Sequence, residues 1–154
     1  MKTLNQFDIA GRSAIVTGAA SGIGLGYAEA MAEAGVRVTL TDIDGEGAER
    51  EATRLRGEGA DARAAQLDVA DRATMRAVFD AHVAAFGGLD IAFANAGIDP
   101  GQGFWNPEGH RNPEGQIDTL DPARWDRSIS INLTGVFNTI REAARCMKAR
   151  GKGG

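Results

Sequence analysis

Five short groups of residues in this 154-residue chain could do chemistry on a bound small molecule. The first is Thr17-Gly18-Ala19-Ala20-Ser21-Gly22-Ile23-Gly24, which lies between an apolar strand pattern and a helical one. Glycines there let the backbone turn tightly and approach a pyrophosphate closely. The start of the following helix offers free N–H groups and a positive dipole end to phosphates. This makes Gly18, Ser21, Gly22, Ile23 and Gly24 candidate cofactor-binding residues, although the spacing differs from G-x-G-x-x-G and a purely structural turn is the alternative. The second is Asp42, at the end of the next strand and 18 residues beyond Gly24. A carboxylate at such a place can accept a hydrogen bond from a ribose 2′-hydroxyl and would repel a 2′-phosphate. Its neighbours Thr41 and Ile43 carry no positive charge, nor does Ser21, so NAD is expected rather than NADP. The alternative is a solvated carboxylate at a strand end, and Asp44 is read in that way.

Asp68-Val69 follow the third strand, where an open parallel sheet borders its ligand crevice. Asp68 could accept a hydrogen bond from an adenine amino group, or simply serve a strand-to-helix turn. Asn95-Ala96-Gly97 follow the fourth strand. Small residues there let the chain pass close to a ligand, and Asn95 can satisfy main-chain groups of neighbouring strands. Asn132 falls among Ile129, Val136 and Ile140 on one face of the last helix. A buried amide group left unsatisfied costs about 1–3 kcal/mol, so Asn132 is expected to have a partner, a water or a job.

The elements that must position these groups can be read from periodicity. Ser13–Thr17, Val36–Thr41, Ala62–Leu67 and Leu89–Ala94 read as strands. Helices are expected between them. The first carries Ile23, Tyr27, Met31 and Ala34 on one face and stops at Gly35. The second runs from Gly45 to Arg56. The third, capped by Asp71, repeats Met75, Val78, Phe79, His82, Val83 and Phe86 at three and four and ends at Gly87-Gly88. Strands that alternate with helices imply parallel strands joined by right-handed crossovers. The stretch 98–120 is different, since all four prolines lie between Pro100 and Pro122. Asn106-Pro107-Glu108-Gly109 recurs as Asn112-Pro113-Glu114-Gly115, which predicts two successive turns in a long loop. Such a loop is either functional or a surface excursion. Asp121-Pro122 marks a helix start, and that helix is expected to run to about Ala149, with Trp125, Ile129, Asn132, Val136, Ile140 and Ala143 on one face.

Bulk properties bound the answer. A net charge of -4 without a basic run argues against a general nucleic-acid binder. No apolar run approaches the roughly 20 residues that span a bilayer, so no membrane partner is expected. Met1 to Ala10 lacks the pattern of a signal peptide. The single cysteine, Cys146, cannot form an internal disulfide, which fits a reducing cytoplasm, and it reads as a small helix residue. His82 reads as a packed residue at the core edge. No His or Cys pair has metal-ligand spacing, so no metal is expected.

Taken in order, Thr17-Gly18-x-x-x-Gly22-x-Gly24, Asp42, Asp68-Val69, Asn95-Ala96-Gly97 and Asn132-Leu133-Thr134-Gly135-Val136-Phe137 resemble the short-chain dehydrogenase/reductase family from about Phe7 onward. The resemblance implies an α/β fold, a Rossmann-type doubly wound parallel sheet, in one dinucleotide-binding domain (residues 1–154) that stops after the fourth β-α unit and carries a Pro/Gly-rich loop at 98–121. It implies hydride transfer between NAD and a small alcohol or ketone. Gly18, Gly22, Ile23 and Gly24 would hold the pyrophosphate and Asp42 the adenosine ribose. Asp68 and Val69 would face the adenine, and Asn95, Ala96 and Gly97 would border the nicotinamide-side ribose. Asn132 would be the catalytic asparagine, holding a water in a proton relay. The family's active-site Ser and Tyr-x-x-x-Lys have no counterpart here: the one tyrosine, Tyr27, is followed four residues on by Met31. The expectation is therefore the cofactor-binding portion of an enzyme, binding cofactor at most, or else a non-catalytic dinucleotide-binding or subunit-pairing module. With no fifth strand beside the fourth, an open edge is expected to leave this chain marginal or oligomeric, and the full-length form is expected to be a homo-oligomer, a dimer or tetramer.

Overall fold

A computed structural model of the chain describes residues 8–99, 101, 103 and 105–151. The expectations for the first seven residues and for the tail 152–154 lie outside the described residues. Four strands, β1 (Ser13–Thr17), β2 (Arg37–Asp42), β3 (Ala62–Gln66) and β4 (Ile91–Phe93), form one sheet in the order β3-β2-β1-β4. Every pairing is parallel, with Ile15 beside Thr39 and Ala92. The chain moves outward from β1 to β3 and then jumps back across β1 to β4. The loops after β1 and β4 therefore diverge, and they leave a crevice at the carboxyl ends of these strands.

The crossovers are α1 (Gly22–Glu33), α2 (Gly45–Gly57) and α3 (Arg72–Phe86), followed by the loop and then α4 (Pro122–Ile129) and α5 (Val136–Ala149). Helices α1 and α2 cover one face of the sheet, where Ala14, Val16, Ala28, Val38, Leu40, Ala48 and Ala52 form a buried cluster. Helices α3 and α5 cover the other, with Ile15, Leu67, Met75, Phe79, Leu89, Ala143 and Cys146. The doubly wound sheet is thus the observed architecture. Caps stop and start the helices where side chains can satisfy free N–H groups. Asp71 accepts from the N–H groups of Ala73 and Thr74 at 2.9 and 3.3 Å, and Asp121 accepts from Ala123 N at 3.0 Å beside Pro122. Asp44, expected to be merely solvated, caps α2 by accepting from Gly47 N at 2.9 Å.

Three expectations are corrected. The buried positions of α1 are Gly24 and Ala28, whereas Ile23 and Tyr27 are 72% and 41% exposed. A helix that lies close to a sheet buries its smallest residues, so the expected stripe sits at the margin of the contact: Ile23 lines the crevice at the carboxyl ends of the strands, Tyr27 stacks on Phe93 of β4 and Met31 packs beside the buried cluster. The last helix is not uniform: a π-helical segment, Ser130–Gly135, separates α4 from α5. The wider turn rotates everything after it. The buried residues of α5 are Asn138, Thr139, Glu142, Ala143 and Cys146, while Trp125 and Ile129 before the π segment and Ile140 after it are exposed. Finally, β4 is only three residues long and pairs with β1 at Ala14, Ile15 and Val16.

The loop forms the two expected turns. Gly109 N donates to Asn106 O at 3.0 Å, and Asn106 Oδ1 accepts from His110 N at 2.8 Å. Pro113–Gly115 make a 3-10 turn, with Asn112 Oδ1 accepting from Glu114 N at 3.1 Å. No helix among the described residues is long and apolar enough to cross a membrane.

Candidate functional site

The glycine-rich turn after β1 is built by close approach. Gly18 and Gly22 have φ values of 67° and 56°, a region that side chains disfavour. A Cβ at Gly24 would stand 1.9 Å from Gly18 O, so only glycine lets α1 begin this close to β1. A Cβ at Gly22 would meet nothing within 4 Å, so that side of the turn is open space against bare backbone. The N-cap residue Ser21 makes no side-chain cap bond, which leaves the first N–H groups of the 12-residue α1 facing that space. A turn of this kind can receive a diphosphate group.

Side chains from two other loops hold the turn. Asp42 Oδ2 accepts from Ala20 N at 3.0 Å, while Oδ1 accepts from Asp44 N at 3.0 Å. Each carboxylate oxygen retains a further lone pair for a ligand hydroxyl. Asn95 Nδ2 donates to Thr17 O at 3.0 Å and Gly18 O at 3.3 Å. Thr17 Oγ1 in turn accepts from the N–H groups of Asn95 and Ala96. The expectation that Asn95 satisfies main-chain groups of neighbouring strands is met, and the loops after β1 and β4 are stitched together. Asp68 Oδ1 accepts from Ala70 N at 2.9 Å; its Oδ2 bonds no described residue.

Eleven of the sequence-derived residues line one crevice of about 420 Å³: Gly18, Ser21, Ile23, Gly24, Asp42, Ile43, Asp68, Val69, Asn95, Ala96 and Gly97. Gly22 shapes the turn without lining the crevice. Asn132 does not line it either, nor is it buried. Instead its Nδ2 donates to Ile98 O and its Oδ1 accepts from Ile98 N, both at 2.8 Å. The amide therefore has its partner, and it clamps the start of the long loop to the π segment. Sequence reasoning missed Leu67, Ile98, Arg127 and Ile131, which complete the lining. It also missed Asn138, which is buried and donates to Val69 O at 3.0 Å while accepting from Arg72 Nε at 3.1 Å. Gly135 packs so tightly against Val69 that an added Cβ would lie 2.5 Å from Val69 Cγ2. The signal available for both was their place on the helix: Gly135 and Asn138 follow Ile131 at four and three.

Other chemistry is thinly represented. A wider surface groove beside α2 is lined by Glu46 and Glu49, whose charges disfavour phosphates. Burial pushes the Cys146 thiol up, as suits an inert packed residue. No group of His, Cys, Asp and Glu among the described residues is placed to hold a metal.

Comparison with known proteins shows the family. The family model for short chain dehydrogenase matches residues 12–154. The chain is 41% identical over 142 residues to the cis-4-hydroxycyclohexanecarboxylate dehydrogenase of Sinomonas cyclohexanicum, covering 92% of this chain and 52% of that protein. It is 36% identical to the D-threitol dehydrogenase of Mycolicibacterium smegmatis, covering 96% of this chain and 52% of that one. Among solved structures it superposes on a short-chain type dehydrogenase/reductase from Mycobacterium marinum with a TM-score of 0.87 at 33% identity, over all of this chain and 57% of the other. A gluconate 5-dehydrogenase from Burkholderia cenocepacia, solved with NADP and tartrate, aligns at 39% identity with a TM-score of 0.81, over 97% of this chain and 54% of that one. The chain spans about half the length of the curated relatives it matches. With its family model matched over residues 12–154 and its fold superposing on a solved short-chain dehydrogenase/reductase, the chain belongs to the short-chain dehydrogenase family.

Proposed function

We propose that this chain is the nucleotide-binding portion of an NAD-dependent oxidoreductase that moves a hydride between a nicotinamide and a small alcohol or ketone. The observation that carries it is the crevice itself, where an open glycine turn, the Asp42 carboxylate and the Asp68-Val69 corner converge. The nicotinamide, when bound, supplies the hydride acceptor or donor. The residues here bind and orient. The turn from Gly18 to Gly24, with Ser21, Gly22 and Ile23, would take the pyrophosphate. Asp42 would accept from the adenosine ribose beside Ile43, and Asp68 and Val69 would face the adenine. Asn95, Ala96 and Gly97 would border the second ribose. Asn132 spends both ends of its amide on Ile98, so its side chain would act by positioning the loop wall. A general acid for the carbonyl oxygen is not among these residues, since Tyr27 is stacked on Phe93 with 4.7 Å between ring centroids.

NAD is preferred over NADP in this reading because Asp42 would repel a 2′-phosphate. Fluorescence titration of the chain with NADH and NADPH tests both parts. Saturable NADH binding is expected, with NADPH weaker by at least about tenfold and that gap narrowed in Asp42→Ala. Equal affinities would overturn the cofactor preference. Binding of neither would overturn the nucleotide-binding role of this chain.

A further inference from the structure

We propose that Arg127 closes the adenine side of the crevice by laying its guanidinium on the face of the base. This deepens the nucleotide-binding reading and rests on it. Arg127 is the only cation among the residues that line the crevice. It is exposed, and its guanidinium has no hydrogen-bond or ion-pair partner among the described residues. Its height above the crevice is fixed by the helix on its C-terminal side. Ile131, one turn on, lines the same wall and packs into the apolar cluster of Leu67 and Val69. Beyond Ile131, Gly135 abuts Val69, and Asn138 bonds the Val69 carbonyl. Asp121 and Pro122 fix the other end of α4.

That placement dictates the chemistry. An adenine against Val69 and Ile131 would offer its amino edge to the free Oδ2 of Asp68 and its outer face to Arg127. A guanidinium is planar and weakly hydrated, and it stacks on aromatic faces where an ammonium does so less well. One base would then be gripped at its edge by an anion and on its face by a cation.

The test is NADH and NADPH titration of the chain against Arg127→Ala and Arg127→Lys, at low and at high salt, with circular dichroism to show that the fold persists. We expect Arg127→Ala to weaken both nucleotides by the same factor, about fivefold, with the loss surviving high salt. Arg127→Lys should recover little of it. Unchanged NADH affinity in Arg127→Ala would overturn the proposal while leaving nucleotide binding in place. A loss confined to NADPH would assign Arg127 to a 2′-phosphate instead. A loss that vanishes in high salt, or full recovery with Lys, would reduce it to a simple attraction for phosphate. No binding by the unaltered chain would overturn the nucleotide reading itself, and this inference with it.

Discussion

The two faces of the sheet are packed by different means. Beneath α1 and α2 the buried cluster is mostly Ala and Val with Leu40 and Leu55, and its tightest contact is glycine on backbone, Gly24 against Gly18. Beneath α3 and α5 the cluster has large side chains, Ile15, Met75, Phe79 and Leu89, and its neighbours include buried polar residues, His82, Asn138, Thr139 and Glu142. The first face brings a helix start against the sheet with nothing between, which only small residues permit. The second holds its helices further off and fixes them with side-chain hydrogen bonds. Thr39 Oγ1 and His82 Nδ1 lie 2.8 Å apart, which ties α3 to β2. Asn138 ties α5 to Val69. One wall of the crevice is thus set by backbone and the other by a few polar side chains.

That contrast can be broken at its strongest point first. Gly24→Ala forces Cβ into the Gly18 carbonyl, and we expect a loss of about 3 kcal/mol in urea unfolding together with loss of nucleotide binding. An unchanged midpoint would mean that α1 can withdraw from the sheet freely. A second test uses pH. Burial, and then the charge of Arg37, hold the His82 imidazole down at about 4 from an ordinary 6.5. The unfolded chain therefore binds the proton more readily than the folded one. The stability that His82 contributes is complete above pH 6.5 and is lost as pH falls through 4. At pH 5 the loss should reach about 2 kcal/mol and should vanish in His82→Gln. A pH profile identical in the two proteins would remove His82 from the account. The smallest effect is expected from Asn138→Leu, which strands the Val69 carbonyl and costs about 1–2 kcal/mol. It should also weaken NADH more than it weakens the fold, whereas equal weakening would mark Asn138 as packing alone.

Much of this was legible in the sequence. The glycine turn, both aspartates and the small residues after β4 signal themselves, because tight turns and strand ends demand particular residue types. The α3 stripe was equally clear, since Met75, Val78, Phe79, His82 and Phe86 are all buried. Periodicity failed where apolar residues do not face the sheet. In α1 the close approach reserves the inner face for Gly24 and Ala28, so Ile23 and Tyr27 are displaced to its margins, over the crevice and against Phe93. In the last helix the inward side runs through Ile131, Gly135, Asn138 and Glu142, mostly small or polar residues, so a count of apolar residues picked out the exposed Trp125, Ile129 and Ile140 instead. Arg127 stayed hidden because a solvated arginine on a helix carries no sequence signal at all.

The Asn132 clamp has a consequence for variation. Its two bonds join residues 34 positions apart and fasten the start of the long loop to the π segment that follows α4. What lies beyond that fastening behaves as a cassette. For a flexible loop, each doubling of length costs only about 0.6 kcal/mol in closure entropy. Insertions and exchanges between Asp99 and Leu120 can therefore accumulate while the crevice walls keep their spacing. One cofactor scaffold could be fitted in this way with many different rims.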